Sequence, residues 1–595
     1  MFPLHDPLDE TLRNELVGHD DLTAALLARR GVLTKEDAET FLNPSYDRHL
    51  HDPLLMTDMR KAARRFADAI LAKERIAVWS DYDCDGIPGA VLLHDFLKKA
   101  GADFENYIPH RHLEGYGMNV AGIEKLAQSG VKLIVTVDSG ITDVEPVARA
   151  NELGMEVIIT DHHLPALSEV EGPLLPPAFA VVNPNARADE PYPFHGLCGS
   201  GVAWKLVVAT LAVEPRLREK IPEGWEKWLL DMVGLATIAD MVALTGENRV
   251  LATYGLLVMR KSPRIGLQKL CRGMRTEQRT ITEDDVGFMI APRVNAASRM
   301  GDAVDAFRLF TTDDEDVADA LAKKLERANR QRKAEAGAIT RAVHARLKER
   351  TEMRSVIALG DPEWRPALLG LVANTIADEY ERPVFLWGRE GNLRLKGSMR
   401  SGGPTHALDL MRATENTFED FGGHAAAGGF TVLDDAVFFL EDRLVEAHAR
   451  LAVASDDALA GHADAVLAPE ETTLAFLKKI ERLAPYGIQN PKPVFLLREV
   501  VVDEVTRFGK SEEHLKLKIG MNGGKGSIDA VTFFVKGAIA RTADAFTRGS
   551  RANMLVHLER DTFSRGAPVR LRLLDIRAAD QRSSIVALVS ASGKV

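Results

Sequence analysis

Three carboxylates at every second position, in Ser80-Asp81-Tyr82-Asp83-Cys84-Asp85-Gly86, directly follow the apolar run Ile76-Ala77-Val78-Trp79. Acids where a buried strand runs out bring their oxygens into one small volume, which repels itself unless a cation fills it. An acidic turn capping the next helix is the competing reading of this heptapeptide alone. Two more apolar runs end the same way. Asp138 follows Val135-Thr136-Val137, and Asp161-His162-His163 follows Val157-Ile158-Ile159-Thr160. Asp240 stands in the apolar context Thr237-Ile238-Ala239-Asp240-Met241-Val242, where an acid needs a metal or a buried salt bridge. Several carboxylates with one or two histidines and no cysteine pair make a hard site, suited to Mg²⁺ or Mn²⁺, the imidazole favouring Mn²⁺. So much acid can hold two ions roughly 3.5–4 Å apart, the arrangement that hydrolyses phosphodiesters. Arginines to hold phosphates are available at Arg111 in Pro109-His110-Arg111-His112-Leu113-Glu114-Gly115-Tyr116-Gly117, at Arg293 and Arg299 in Pro292-Arg293-Val294-Asn295-Ala296-Ala297-Ser298-Arg299-Met300, and at Arg400.

The elements that must position these groups alternate regularly. Strands are expected at Arg75–Ser80, Phe104–Ile108, Lys132–Val137, Glu156–Thr160 and Ala178–Val182, with helices between them at Ala90–Lys99, from Ala121, and at Val144–Leu153. Apolar, β-branched strands separated by helices predict a parallel sheet covered on both faces, whose ligands bind beyond the carboxyl ends of the strands. That rule brings Asp81, Asp138 and Asp161 to one edge. Helices follow, one opening at Cys198-Gly199-Ser200 and another at Leu229–Val242 carrying Asp240. The charged stretch Asp313–Arg350 reads as one long helix bridging two domains. A second α/β pattern comes next, with strands at Val356–Leu359 and Pro383–Trp387 around a helix Ala367–Tyr380, then Lys396-Gly397-Ser398-Met399-Arg400-Ser401 and the small-residue run Phe421-Gly422-Gly423-His424-Ala425-Ala426-Ala427-Gly428-Gly429-Phe430. After Tyr486-Gly487-Ile488-Gln489-Asn490-Pro491 short strands are expected at Val494–Leu497, Val500–Thr506, His514–Ile519, Ile528–Phe534, Met554–Leu558 and Val569–Ile576, suiting a small barrel of the OB type. The first 50 residues look polar and loop-rich, with short helices at Asp21–Arg29 and Thr34–Phe41 and no recognisable chemistry.

A chain of 595 residues is too long for one core. Its net charge of −11 hides an asymmetry, because residues 461–595 carry 21 Lys+Arg against 15 Asp+Glu. A basic C-terminal module on an acidic body suggests that one part holds a polyanion. No apolar run is long enough to cross a bilayer, and three scattered cysteines lack zinc or disulfide spacing, so a reduced cytosolic protein is expected.

Asp81-Tyr82-Asp83-Cys84-Asp85-Gly86, Val137-Asp138-Ser139-Gly140, Asp161-His162-His163, Ala239-Asp240 and the Gly422–Gly429 run stand in the order of DHH phosphoesterases. With Glu114-Gly115-Tyr116-Gly117, Pro292–Ala297 and the basic β-domain, residues 50–577 resemble the RecJ family of bacterial single-strand-specific 5′→3′ DNA exonucleases. The resemblance implies a parallel-sheet DHH domain at 51–312 after an N-terminal extension at 1–50, a connecting helix at 313–350, a DHHA1 domain at 351–455, an OB domain at 460–577 and a flexible tail at 578–595. It implies Asp83, Asp85, Asp138, His162 and Asp240 as Mn²⁺ or Mg²⁺ ligands, Asp138 bridging, with Asp81 a ligand or just behind one. His163 would contact the scissile phosphate and Asp161 orient the histidines. Arg111, Tyr116, Arg293, Asn295, Arg299, Arg400, Ser401, Gly423 and His424 would meet the strand. Single-stranded DNA, a single-strand-binding protein and a RecQ-type helicase are the implied partners, in DNA repair and recombination in the bacterial cytoplasm, nucleoid-associated, with no membrane. Cys84, Pro88 and Ser298 depart from the usual pattern at positions that are not proposed ligands. Two rival readings stay open: a hydrolase of short oligonucleotides or cyclic dinucleotides, and an inactive DNA-binding scaffold.

Overall fold

The computed structural model describes residues 2–579 apart from 169–171, 390–393, 404, 424, 452–461, 510–511, 522–525, 534, 536–541, 543–544 and 562–568. Seven strands come first: β1 (Arg75–Ser80), β2 (Asp103–Tyr107), β3 (Leu133–Val137), β4 (Glu156–Thr160), a β5–β6 hairpin (Ala166–Ser168, Gly172–Leu174) and β7 (Ala180–Val182). Five of them form a parallel sheet in the order β2-β1-β3-β4-β7. Alternate residues feed two cores. Ile76, Val78, Leu133 and Val135 join the larger cluster on one face, while Ala77, Trp79, Ile134 and Val157 join a smaller one on the other. The strands are continuously apolar because both faces are covered by helices.

Helix Gly86–Ala100 begins four residues before the expected start at Ala90. Pro88 does not prevent this, since first-turn amides have no partner to lose. The helix expected at Leu229–Val242 runs only over Leu230–Ala239, because Met241 takes a left-handed φ of 59° and leaves Asp240 at the helix end. Helix Glu315–Lys348 extends 34 residues; Leu321 and Leu325 pack in the first body, while Ile339, Val343 and Leu347 pack in the next. That second body is a mixed sheet, β11-β12-β10-β9-β8, built from β8 (Ile357–Gly360), β9 (Val384–Gly388), β10 (Leu395–Arg400), β11 (Phe418–Gly423) and β12 (Ala427–Val432).

The third sheet contains β13 (Ala465–Val466), β14 (Phe495–Phe508), β15 (His514–Gly520), β16 (Ser527–Thr532), β17 (Arg551–Arg560) and β18 (Val569–Ala578). Its order β14-β15-β16-β18-β17 closes through a β14–β17 pairing, an OB-like five-stranded barrel. The two strands expected at Val494–Leu497 and Val500–Thr506 are one strand, β14, whose register shifts between Leu497 and Val500. Such a bulge bends a strand around a barrel corner without ending it. The N-terminal residues pack on this barrel, with Leu26, Leu27, Phe41 and Leu42 in one cluster with Leu477, Leu483 and Phe495. No helix among the described residues is long and apolar enough to cross a membrane.

His94, on helix Gly86–Ala100, lies edge-on to Phe104 at 5.1 Å and Phe307 at 5.4 Å. Burial, then the charges of Lys98 and Arg264, push it down to about 4. Unfolding therefore takes up a proton between that value and the ordinary one, and stability falls as pH drops from about 6.5 to about 4. His94→Leu should flatten that part of the melting temperature–pH profile.

Candidate metal centre

The ladder of the first sheet continues one rung beyond its strands. Asp81 N–H donates to Val137 O at 3.2 Å, Asp138 N–H to Thr160 O at 3.1 Å and Asp161 N–H to Val182 O at 3.2 Å. Asp81, Asp138 and Asp161 thus stand side by side, with Asn183 next, just after β7. Asp138 adopts a φ of 58°, a left-handed conformation that Asp tolerates better than most residues.

Around Asp138 the side chains converge. His162 Nε2 is 3.2 Å from Asp138 Oδ1, 3.7 Å from Asp85 Oδ2 and 3.9 Å from Asp240 Oδ2. Asp81, Asp83 and Asp138 form one group whose oxygens lie within 4.8 Å of one another; Asp85, His162 and Asp240 form a second, and Asp138, His162 and His163 a third. Asp138 therefore belongs to two of the three groups. The acidic loop is held from behind. Asp85 receives the amides of Gly199 (2.6 Å) and Ser200 (2.8 Å) at the start of helix Gly199–Val213. A Cβ on Gly199 would lie 2.6 Å from Asp138 Cβ, so this approach requires glycine. Asp83 accepts from Asp85 N–H at 2.8 Å, and Asn295 Oδ1 from Cys84 N–H at 2.9 Å.

Burial and mutual repulsion set the charge state. Asp81 and Asp138 are raised far above the carboxylate range, and Asp240 is pushed up to about 9 by burial and then by Asp85 and Asp83. Asp81 Oδ1 and Asp138 Oδ1 are buried and accept no hydrogen bond among the described residues. Buried oxygens of this kind are costly unless they bind something. Asp161 differs. It accepts from Ile141 N–H (3.0 Å), His162 N–H (2.7 Å) and His163 Nδ1 (2.8 Å), and these bonds hold it below the usual carboxylate range despite burial. Burial opposes protonation of His163, but Asp161 outweighs it and lifts the imidazole to about 9.

The expected strand-binding residues divide. Arg111 lies 4.6 Å over the Tyr82 ring, and Tyr116 Oη donates to Asp138 O at 3.1 Å. Arg299 donates to Ala367 O at 2.7 Å, across to helix Pro366–Tyr380, and burial followed by Arg111 lowers it to about 10. Arg400 lies against the same helix: a Cβ on Gly370 would be 3.0 Å from its Nη2. Ser401 N–H bonds Ala426 O at 3.0 Å, and Gly423 takes a φ of 149°. Arg293, by contrast, is engaged with Glu326 and Met289 O, both at 2.7 Å, tying its helix to Glu315–Lys348. His424 lies outside the described residues.

Two residues near the centre were not singled out from sequence. Asn183 donates to His163 O at 2.9 Å and Asn185 to His162 O at 2.7 Å, fixing the backbone of the paired histidines. Asn183 could have been found, since it follows Val181-Val182 as the acids follow their strands.

Family models match at three places: DHH family, N-terminal domain, at residues 75–237; DHHA1 domain at 353–451; and RecJ OB domain at 463–575. The single-stranded-DNA-specific exonuclease RecJ of Dickeya dadantii is 31% identical over 544 residues, covering 86% of this chain and 89% of its own. The chain belongs to the RecJ family. RecJ of Bacillus subtilis is 34% identical over 499 residues, 84% of this chain, which spans only 61% of that longer relative. The crystal structure of Thermus thermophilus RecJ with Mn²⁺ superposes with a TM-score of 0.76 at 28% identity, covering 95% of this chain and 77% of that one; its Mg²⁺ form gives 0.71 at 27%. The RecJ-type cluster of this chain, oxygens and imidazole without a cysteine ligand, has the donor set for either ion.

Proposed function

We propose that this chain degrades single-stranded DNA from the 5′ end to mononucleotides, in DNA repair and recombination. The observation that carries this reading is Asp138, shared between overlapping groups of hard donors at the edge of a parallel sheet. Asp81, Asp83, Asp85, Asp138, His162 and Asp240 would hold two Mn²⁺ or Mg²⁺ ions, Asp138 between them. When bound, the ions supply an activated water and neutralise charge on the phosphate. The protein's own part is positioning. Asp161 fixes His163 through Nδ1 and leaves Nε2 for the scissile phosphate. Arg111, kept over Tyr82, would recognise the 5′ end, and Arg299 and Arg400 would hold phosphates where the strand passes helix Pro366–Tyr380.

From there the strand would continue onto the barrel. Phe508, His514 and Phe533 form an aromatic group there, with Arg572 4.9 Å and Arg570 5.7 Å over Phe533. Rings beside guanidinium groups suit bases and phosphates of a single strand. The shared core supports counting residues 2–42 with the barrel at 460–577, apart from the DHH body at 51–312, on which Tyr46 and Leu50 already pack, the connecting helix at 313–350 and the DHHA1 body at 351–455. By family resemblance a single-strand-binding protein and a RecQ-type helicase are proposed partners, with the bacterial nucleoid as the site of action.

The test is an end-labelled digest. With Mn²⁺ or Mg²⁺, 5′-labelled single strands should release labelled mononucleotide from the first turnover, and blunt duplex should persist. Attack from the 3′ end, or undiminished cleavage in EDTA, would exclude the reading.

A further inference from the structure

The turn Tyr486–Asn490 takes no part in the chemistry above, yet it ties the barrel to the catalytic body. Asn490 is fully buried. Its Nδ2 donates to Leu483 O (2.8 Å) and Pro485 O (2.7 Å), its Oδ1 accepts from Arg30 Nε (2.6 Å), and its backbone pairs with Gly487 in both directions. The turn is therefore rigid, and it joins the N-terminal segment to the barrel entrance.

Its outer face grips the catalytic body. Ile488 O accepts from Leu244 N–H at 2.9 Å, and Tyr486 N–H donates to Glu283 Oε1 at 3.0 Å. Leu244 is buried, and a Cβ on Gly487 would lie 2.7 Å from Leu244 Cδ1, so the side chain fits against bare backbone. Lys492 reaches Asp284 on the catalytic body and Glu559 of β17 at 3.7 Å. Arg249, also buried, donates to Phe41 O and to Ala484 O at 3.0 Å. Leu244 belongs to the short connection after Asp240, so the grip lies four residues from the metal cluster.

We infer that the Tyr486–Asn490 turn is a clamp that holds the barrel at a fixed position beside the catalytic cleft, with Gly487 and Lys492 as its positioning residues. This rests on the reading of the chain as a nuclease whose strand continues onto the barrel. Two sites joined rigidly share one strand at high effective concentration, an advantage lost when the joint loosens although both sites survive. The clamp thus serves long strands and is irrelevant to oligonucleotides too short to span both sites.

The experiment compares KM and kcat of the full chain on 5′-labelled strands of about 4 and about 30 nucleotides. The unaltered protein should show a clearly lower KM for the long strand. Gly487→Val, which drives bulk into Leu244, should raise the long-strand KM about tenfold and leave both constants on the short strand within about twofold. Adding Leu244→Ala should restore the long-strand value. Lys492→Ala, which adds no bulk, should raise the long-strand KM about threefold and keeps the test open if Gly487→Val fails to fold. The clamp is overturned if folded Gly487→Val or Lys492→Ala keeps the full long-strand advantage, or if both substrates suffer equally and Leu244→Ala rescues neither. If the unaltered protein shows no long-strand advantage, the continuation of the strand onto the barrel fails first, and the clamp falls with it.

Discussion

Asp138→Asn should lower strand cleavage at least about a thousandfold, some 4 kcal/mol of transition-state stabilisation, while single-strand binding stays within about twofold. The size follows from position. Asp138 belongs to two of the three ligand groups, and its Oδ1 stands 3.2 Å from His162 Nε2. Asparagine is the better probe than alanine, because φ is 58° there and asparagine accepts that conformation without the strain a Cβ-only side chain incurs. The metal-free variant should also melt no lower than the parent, since the amide replaces a carboxyl whose ionised form is disfavoured by burial and by Asp85, Asp83 and Asp81. The same digest, filter binding and thermal melts in EDTA check all three statements. Near-normal cleavage by Asp138→Asn would refute a shared ligand at this position.

Removing residues 2–42 should unfold the barrel while leaving the first sheet intact, because Tyr46 and Leu50 beyond them pack on the first body. Leu16, Leu26, Leu27, Phe41 and Leu42 are buried against barrel residues, and burying each large apolar side chain contributes roughly 1.5–3 kcal/mol. Five such losses, together roughly 7.5–15 kcal/mol, are as large as the 5–15 kcal/mol by which domains are usually stable. Arg29 would also leave Asp464 without its ion pair at 2.8 Å. Hydrogen exchange should show protection lost along β14, β15 and β17 and retained along β1, β3 and β4. Conversely, cutting the chain near residue 460 exposes the apolar face of the N-terminal segment, so a clean catalytic fragment must lack both ends. Uniform loss of protection, or none, would contradict the partition of cores.

The edge that gathers the acids was legible because parallel strands have their own signature: apolar β-branched runs, each followed by a residue that can do chemistry. Asp81, Asp138 and Asp161 were placed on one edge by that pattern alone, and their amides do form one continuing ladder. The partners of these acids were not legible. Gly199 and Ser200 reach Asp85 from 114 and 115 residues away, and Asn295 reaches Cys84 from 211, distances over which no periodicity speaks. Arg293 shows the opposite difficulty. Its motif suggested phosphate binding, yet Glu326 on the long helix occupies its guanidinium, a pairing set by how two helices cross. The N-terminal segment has its two expected helices, at Asp21–Ala28 and Lys35–Leu42, but its packing on the barrel was not legible for a similar reason. Its apolar residues form no sheet-like pattern, and their partners lie more than 400 residues later.

The rung shared by Asp81, Asp138 and Asp161 has a consequence for how such an enzyme comes into being. A slip of one residue in any of the three strands would carry an acid about 3.3 Å along the sheet and turn it to the opposite face. On the proposed function, no partly registered sheet can therefore possess a working centre. Competence for hydrolysis should arise in one cooperative event, so that an incompletely folded chain emerging from the ribosome is harmless to any single strand it meets.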